Sequence, residues 1–354
     1  MSASPPPPVH HTLMTVHAHP DDETIGTGGV MAKAAAEGHG VVLVTCTRGE
    51  LGEIVVAELD TPQNHRRLAE IRAGELEAAM AALGVTTWEN LGYRDSGMMG
   101  TPGNQDPRSL WQADLDDAIR RLVWLVRLHR PDVMTHYNDF GGYGHPDHIR
   151  AHQVAIGAFH RAGDPDWHPE QIAPEHGGSG PSAADGGLEP WAPAKLYEQA
   201  ISRGRREALA ARAEAAGMTS WWSRPADAGP EELARWDEFM RRSTVDDTLI
   251  TTRIDVRAFA DARWAALLAH RTQISLTDSP LMALGKEALA ELWGEETFIL
   301  RASRVPLGSN LPETDLFAGL DRTGGRIETP RRDGEASDGA RWRTRPDSNR
   351  RSPA

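Results

Sequence analysis

Short, wholly apolar runs alternate with stretches in which apolar residues recur every three or four positions. Leu13–His17 and Gly40–Thr45 are of the first kind and read as buried parallel strands, with Thr87–Leu91 as a weaker one. Ile25–Glu37 places Val30, Met31, Ala34 and Ala35 at helical spacing and stops at Gly38; Pro62–Leu83 opens on proline and stops at Gly84. Asp114–His129 repeats apolar residues at Leu115, Ile119, Leu122, Val123 and Val126, which predicts an amphipathic helix ended by Pro131. Asp132–Tyr137 then reads as a fourth strand and Pro146–Phe159 as a helix. This strand–helix alternation predicts an α/β, Rossmann-like, mostly parallel sheet with helices on both faces. A smaller C-terminal α/β portion follows, with strands at Lys195–Ile201, Leu249–Val256 and Glu296–Ala302 and helices at Arg205–Ala216 and Ala258–His270.

The expected organisation is a proline-rich disordered lead over 1–11 and a metal-binding catalytic core over 12–162. A Pro/Gly/Ser/Asp-rich loop or insertion covers 163–194. The C-terminal portion, 195–320, completes the fold and the substrate pocket, and an Arg-rich disordered tail covers 321–354. The region 217–242 carries Trp221, Trp222 and Trp236 and receives no element. The 354 residues are 39% hydrophobic, enough for a sizeable core, and the formal charge of −13 argues against a nucleic-acid partner. The one cysteine, Cys46, excludes an internal disulfide and a cysteine-based zinc site. Signal-peptide features and apolar runs of membrane-spanning length are lacking, so a cytoplasmic protein is expected. No feature specifies an oligomeric state.

Two polar clusters change the picture. His19-Pro20-Asp21-Asp22-Glu23 follows the first strand, and Gly144-His145-Pro146-Asp147-His148 follows the fourth. In a sheet of order 3-2-1-4, strands one and four are neighbours at the switch point, and a crevice opens at their carboxyl ends. The clusters then meet there and can supply two histidines and one aspartate to a divalent metal. A carboxylate and a histidine remain for proton transfer, the inventory of a metal-dependent hydrolase. Asp21, Asp22 and Glu23 can instead cap the helix that follows, and Asp147 can cap the one behind it. His17 is expected beneath the site and His152 as a packed neighbour. Gly26-Thr27-Gly28-Gly29 lacks phosphate-loop spacing and reads as close helix–strand packing.

Val16–Glu23 and Gly142–His148 together resemble the paired signatures of the PIG-L/LmbE-type de-N-acetylases, most closely the mycothiol-pathway deacetylases and conjugate amidases. Thr45–Glu53, Arg72–Leu76, Arg94–Met98 and Glu313–Leu316 add support. The resemblance implies zinc, with iron(II) as the alternative, bound by His19, Asp22 and His148. It implies Asp21 as general base, His145 as acid or electrostatic partner oriented by Asp147, and Tyr143 on the oxyanion. It further implies that Glu53, Arg72 and Asp95 line the sugar pocket, with His270 and Gln273 at its border. The implied substrate is a small amino-sugar conjugate of N-acetylglucosamine, such as N-acetylglucosaminyl-inositol, that loses acetate. The alternatives are cleavage of a cysteinyl–glucosamine amide and a non-catalytic nucleotide- or sugar-binding protein.

Overall fold

The computed structural model describes residues 10–172, 188–215, 217, 223–225, 228–276, 282, 284–306 and 311–320. Most of the expected lead, the middle of the 163–194 insertion, Trp221, Trp222 and the Arg-rich tail lie outside them.

The described residues form a seven-stranded sheet. Its strands are β1 (Thr12–His17), β2 (Gly40–Thr47), β3 (Thr87–Tyr93), β4 (Val133–His136), β5 (Lys195–Gln199), β6 (Thr252–Asp255) and β7 (Glu295–Ser303). Their order across the sheet is β3-β2-β1-β4-β5-β7-β6. The first five are parallel; β7 is antiparallel to both β5 and β6. The expected 3-2-1-4 order is present, with Leu13 opposite Val133 and Thr15 opposite Thr135. The C-terminal strands extend this same sheet, whose alternating residues feed two apolar cores, one on each face.

On one face α5 (Leu115–His129) and α6 (Pro146–Arg161) pack Ile119, Leu122, Val126, Val154 and Phe159 against Met14, Val44 and Met134. The other face is covered by α2 (Gly28–Ala36), α4 (Leu68–Leu83) and α9 (Ala260–Ala269), which bury Val30, Met31, Met80 and Ala266 on Leu13, Leu43 and Val133. Burying side chains of this size stabilises by roughly 1.5–3 kcal/mol each, which sets the scale of the core.

Several boundaries differ from the sequence reading. The first helix is split into α1 (Asp22–Gly26) and α2 by Thr27, whose hydroxyl serves His17 and the Glu23 carbonyl. Gly29 lets α2 approach the sheet, since a Cβ there would lie 2.6 Å from that of Val256. The Pro62–Leu83 segment breaks at Arg67 into α3 (Pro62–Arg66) and α4. α7 (Arg203–Ala215) stands where a helix was expected, and the Trp-rich region, which received no element, contains α8 (Pro230–Ser243). The signals for α8 were present: proline and two glutamates in its first turn, and Arg241 and Arg242 in its last. No helix among the described residues is long and apolar enough to cross a membrane.

Candidate active site

β1 and β4 end side by side, and the two polar clusters meet above them. The Asp22 carboxylate is the hub. Its Oδ2 accepts the His19 backbone N–H at 2.9 Å and lies 3.4 Å from His19 Nδ1 and 3.3 Å from His148 Nε2. Donors about 2.0–2.2 Å from one tetrahedral ion lie roughly 3.3–3.6 Å apart, which both spacings from Asp22 match. Donor atoms of His19, His145 and His148, and of His19, Asp95, His145 and Asp147, also gather within 4.8 Å of one another, so the buried cluster as a whole is able to hold a metal. The remaining ring nitrogens fix the tautomers. Asp147 Oδ2 accepts from His19 Nε2 at 3.1 Å, and the Gly141 carbonyl accepts from His148 Nδ1 at 3.0 Å. Both lone pairs are thereby turned toward Asp22, the carboxylate–histidine arrangement usual behind metal ligands. Gly141, at φ 63°, packs so closely that a Cβ would lie 2.4 Å from that of His148. Tyr137 stacks on His148 with ring centroids 4.5 Å apart, and its hydroxyl accepts the Ala18 N–H at 3.0 Å.

Charge follows this geometry. Burial opposes a charged His19, but Asp95, Asp147 and Asp22 outweigh it and raise its pKa well above the usual value. Burial likewise opposes the Asp22 carboxylate, yet His148 and His19 hold its pKa well below the ordinary range. Burial above all lowers His148 to about 4. A divalent ion suits this set: it would take the place of the proton that the surrounding carboxylates favour on His19, beside a neutral His148 and an ionised Asp22.

Asp21 precedes the hub and has a positive backbone angle, φ 112°. Such a conformation costs a non-glycine residue on the order of 1–3 kcal/mol and persists only where the surroundings impose it. Its side chain makes no capping bond to α1. Instead Asp21 Oδ2 lies 3.2 Å from a terminal nitrogen of Arg72, which also donates to the Pro20 and Gly49 carbonyls. Burial raises the Asp21 pKa to about 6, against the pull of Arg72 and with help from Asp22.

Three expectations require correction. Asp147 does not direct its carboxylate at His145. Both its oxygens are taken by His19 and Ser96, and only its backbone N–H reaches His145 Nδ1, at 3.1 Å. His145 was expected to act protonated; burial, then His19 and His148, lower its pKa to about 2, and its Nδ1 accepts a backbone N–H. With Nδ1 accepting from the backbone, the neutral ring carries its proton on Nε2. Arg72 and Asp95 do not present open groups to a sugar. Both are 3% exposed, and the Asp95 oxygens accept N–H bonds from Leu51 and Gly97. Of the three expected pocket residues only Glu53 is exposed. Its carbonyl accepts from Gln273 at 3.0 Å, which brings the 270–273 segment beside the loop after β2.

Tyr143, 36% exposed, stands at the mouth with its hydroxyl 3.4 Å from His148 Nε2. His17 lies beneath, bonded to Thr27 and Tyr137. His152 bonds the Tyr137 carbonyl and is outside the donor set. The sequence reading missed Ser96, which anchors Asp147 from the loop after β3. A serine after an aspartate carries no signal of its own, and only the strand order brings it here.

A Rossmann-like sheet whose switch-point crevice gathers buried histidines and aspartates able to hold a metal, beside an aspartate of raised pKa, defines a metal-dependent hydrolase type of site. The chain belongs to the PIG-L family: residues 14–159 match the model described as GlcNAc-PI de-N-acetylase. It is 43% identical, over 86% of its length and 99% of the relative's, to 1D-myo-inositol 2-acetamido-2-deoxy-alpha-D-glucopyranoside deacetylase 1 of Frankia alni. The protein of the same description from Geodermatophilus obscurus is 42% identical over 87% of this chain and 97% of its own. The fold is similar to that of N,N'-diacetylchitobiose deacetylase from Pyrococcus horikoshii. That match has a TM-score of 0.51 at 18% identity and covers 82% and 83% of the two chains.

Proposed function

We propose that this chain is a zinc-dependent hydrolase that removes the acetyl group from the amino sugar of an N-acetylglucosaminyl-inositol, giving acetate and a free amine. One observation carries the reading: Asp21, paired with Arg72, stands beside the His19/Asp22/His148 donor set, in a chain matching named deacetylases over most of its length. Those three side chains would hold the zinc, which when bound would supply a Lewis acid for the amide carbonyl and lower the pKa of a water.

The chain's own residues do the rest. With a pKa of about 6, Asp21 is ionised at neutral pH and accepts the proton of the attacking water. Arg72 holds that carboxylate in place and favours its charged form. Tyr143 donates its hydroxyl to the oxyanion, and His145 offers its Nε2–H as a neutral donor. With His145 Nδ1 occupied by the Asp147 N–H, Asp21 is the favoured donor to the leaving amine, returning the proton it took from water. Glu53, on the exposed loop after β2, accepts from substrate hydroxyls. Iron(II) suits the same donors, and the metal in the cell is set by supply as well as affinity.

The experiment is acetate release from N-acetylglucosaminyl-inositol by metal-stripped protein, with and without added zinc. Zinc-dependent release is expected. A folded, zinc-loaded protein that releases no acetate but cleaves a cysteinyl–glucosamine amide sinks the deacetylase reading.

A further inference from the structure

Glu23 does not belong to the donor set, yet it is fully buried, and each of its oxygens has a defined task. Oε2 accepts the backbone N–H of Asp21 at 2.8 Å. Oε1 accepts the Thr24 hydroxyl at 2.7 Å and a proton from His270 Nε2 at 2.8 Å. His270 stands at the end of α9, 247 residues away in sequence, and is also fully buried. Its Nδ1 has no hydrogen-bond partner among the described residues, so the ring is held through Nε2, by Glu23 at 2.8 Å and more loosely by the Thr24 hydroxyl at 3.5 Å.

The Asp21 backbone is therefore held from three sides. Its N–H is taken by Glu23, its carbonyl accepts from Thr24 and Ile25 at 3.1 and 3.2 Å, and its carboxylate is paired with Arg72. The second of these is ordinary helix entry. The first is not: a glutamate two residues ahead reaches back to an N–H that the left-handed turn leaves unpaired by secondary structure. A buried carboxylate needs a compensating donor, and His270 provides it from a distant helix. The pair thus couples the docking of α9 to the backbone conformation of Asp21.

We propose that Glu23, fixed by His270, is a positioning residue that imposes the left-handed backbone of Asp21 and so aims its carboxylate. This rests on the reading of Asp21 as the general base. A misplacement of about 1 Å at a reacting group costs on the order of 100-fold in rate, which sets the expected effect.

The test uses the zinc-loaded full chain and whichever amide the parent protein hydrolyses. Glu23→Ala is expected to lower kcat roughly 100-fold with KM within about twofold and one equivalent of zinc retained. Glu23→Gln, which keeps an acceptor for the Asp21 N–H, is expected to recover part of that loss. His270→Gln, which keeps a donor for Oε1, is expected to fall between Glu23→Ala and the parent protein. Should Glu23→Ala fail to fold, Glu23→Gln and His270→Gln decide, and parent-like kcat in both overturns the proposal. Loss of zinc in step with activity also overturns it, because Glu23 would then serve Asp22 instead. Hydrogen exchange of the Asp21 amide in the parent protein needs no turnover. Strong protection supports the proposal, and exchange at the rate of an open amide overturns it even if the substrate reading has failed.

Discussion

Arg72 and Asp21 meet 3.2 Å apart, a guanidinium that is 3% exposed beside a carboxylate on a left-handed backbone. Arg72 comes from the first turns of α4 and also donates to the Pro20 and Gly49 carbonyls, so one side chain ties the loops after β1 and β2 together. The guanidinium also favours the charged form of that carboxylate against the pull of burial.

The pH dependence follows from that ionisation. Burial chiefly raises the Asp21 pKa to about 6. A base must be unprotonated, so kcat/KM is expected to rise as pH rises through about 6 and to be lost below it. A rate profile from pH 4.5 to 8 on zinc-loaded protein checks this; an acidic limb near 4 would remove Asp21 as the group observed.

Replacing the guanidinium moves that limb. Arg72 favours the charged form of Asp21, so Arg72→Met is expected to raise the Asp21 pKa. Opposite charges within 4–6 Å shift a carboxyl by about 1–3 pH units, so the limb should move at least one unit toward alkaline pH. The same profile measured on the variant decides.

Asp21→Ala separates metal holding from chemistry. General base catalysis contributes on the order of 10²–10⁴-fold, and Asp21 makes no contact that orients His19 or His148. The variant should keep one equivalent of zinc by elemental analysis and lose at least about 100-fold in kcat. Turnover within tenfold of the parent excludes the base role.

Asp147 and His145 should divide along the line drawn by their hydrogen bonds. Asp147 holds His19 Nε2, so Asp147→Ala should weaken zinc binding by about 10–100-fold. His145→Ala should leave zinc affinity within about twofold and lower kcat, since its Nδ1 is taken by the Asp147 backbone N–H and its Nε2–H is read as a donor to the oxyanion. Competition with a chromophoric chelator measures both. Loss of zinc in His145→Ala would make His145 a ligand in place of Asp22.

Away from the site, Lys195 and Glu313 form a buried pair at 2.9 Å, and Tyr197 donates to the same glutamate at 2.7 Å. Removing one member strands a buried charge, so Glu313→Ala should cost about 3–5 kcal/mol of unfolding free energy in urea. Below its unfolding midpoint the variant should keep parent-like kcat.

Much of this was legible in the chain. The apolar stripe of Leu115, Ile119, Leu122, Val123 and Val126 has one period only and became α5. Leu13–His17 and Asp132–Tyr137 read as buried strands from their short apolar runs, and their adjacency placed the two His/Asp clusters together. What was not legible depends on direction rather than position. Whether Asp147 faces His145, two residues away, or His19, 128 residues away, is set by the turn at the start of α6. Asp21 at φ 112° has no local cause in its own residue type, and its partners Arg72 and Glu23 carry no signature of that task. The strand order β5-β7-β6, with β7 reversed, was equally hidden, because an apolar strand reads the same in either direction.

The adjacency of β1 and β4 has a mechanical consequence. Any ion held jointly by the loop after β1 and the first turn of α6 is a clasp across the middle of the sheet, closing a long loop much as a cross-link would. Its contribution to stability scales with supply, about 2.7 kcal/mol when free ion is a hundredfold above its dissociation constant. Stripping such an ion is therefore expected to lower the unfolding free energy as well as to halt the proposed reaction.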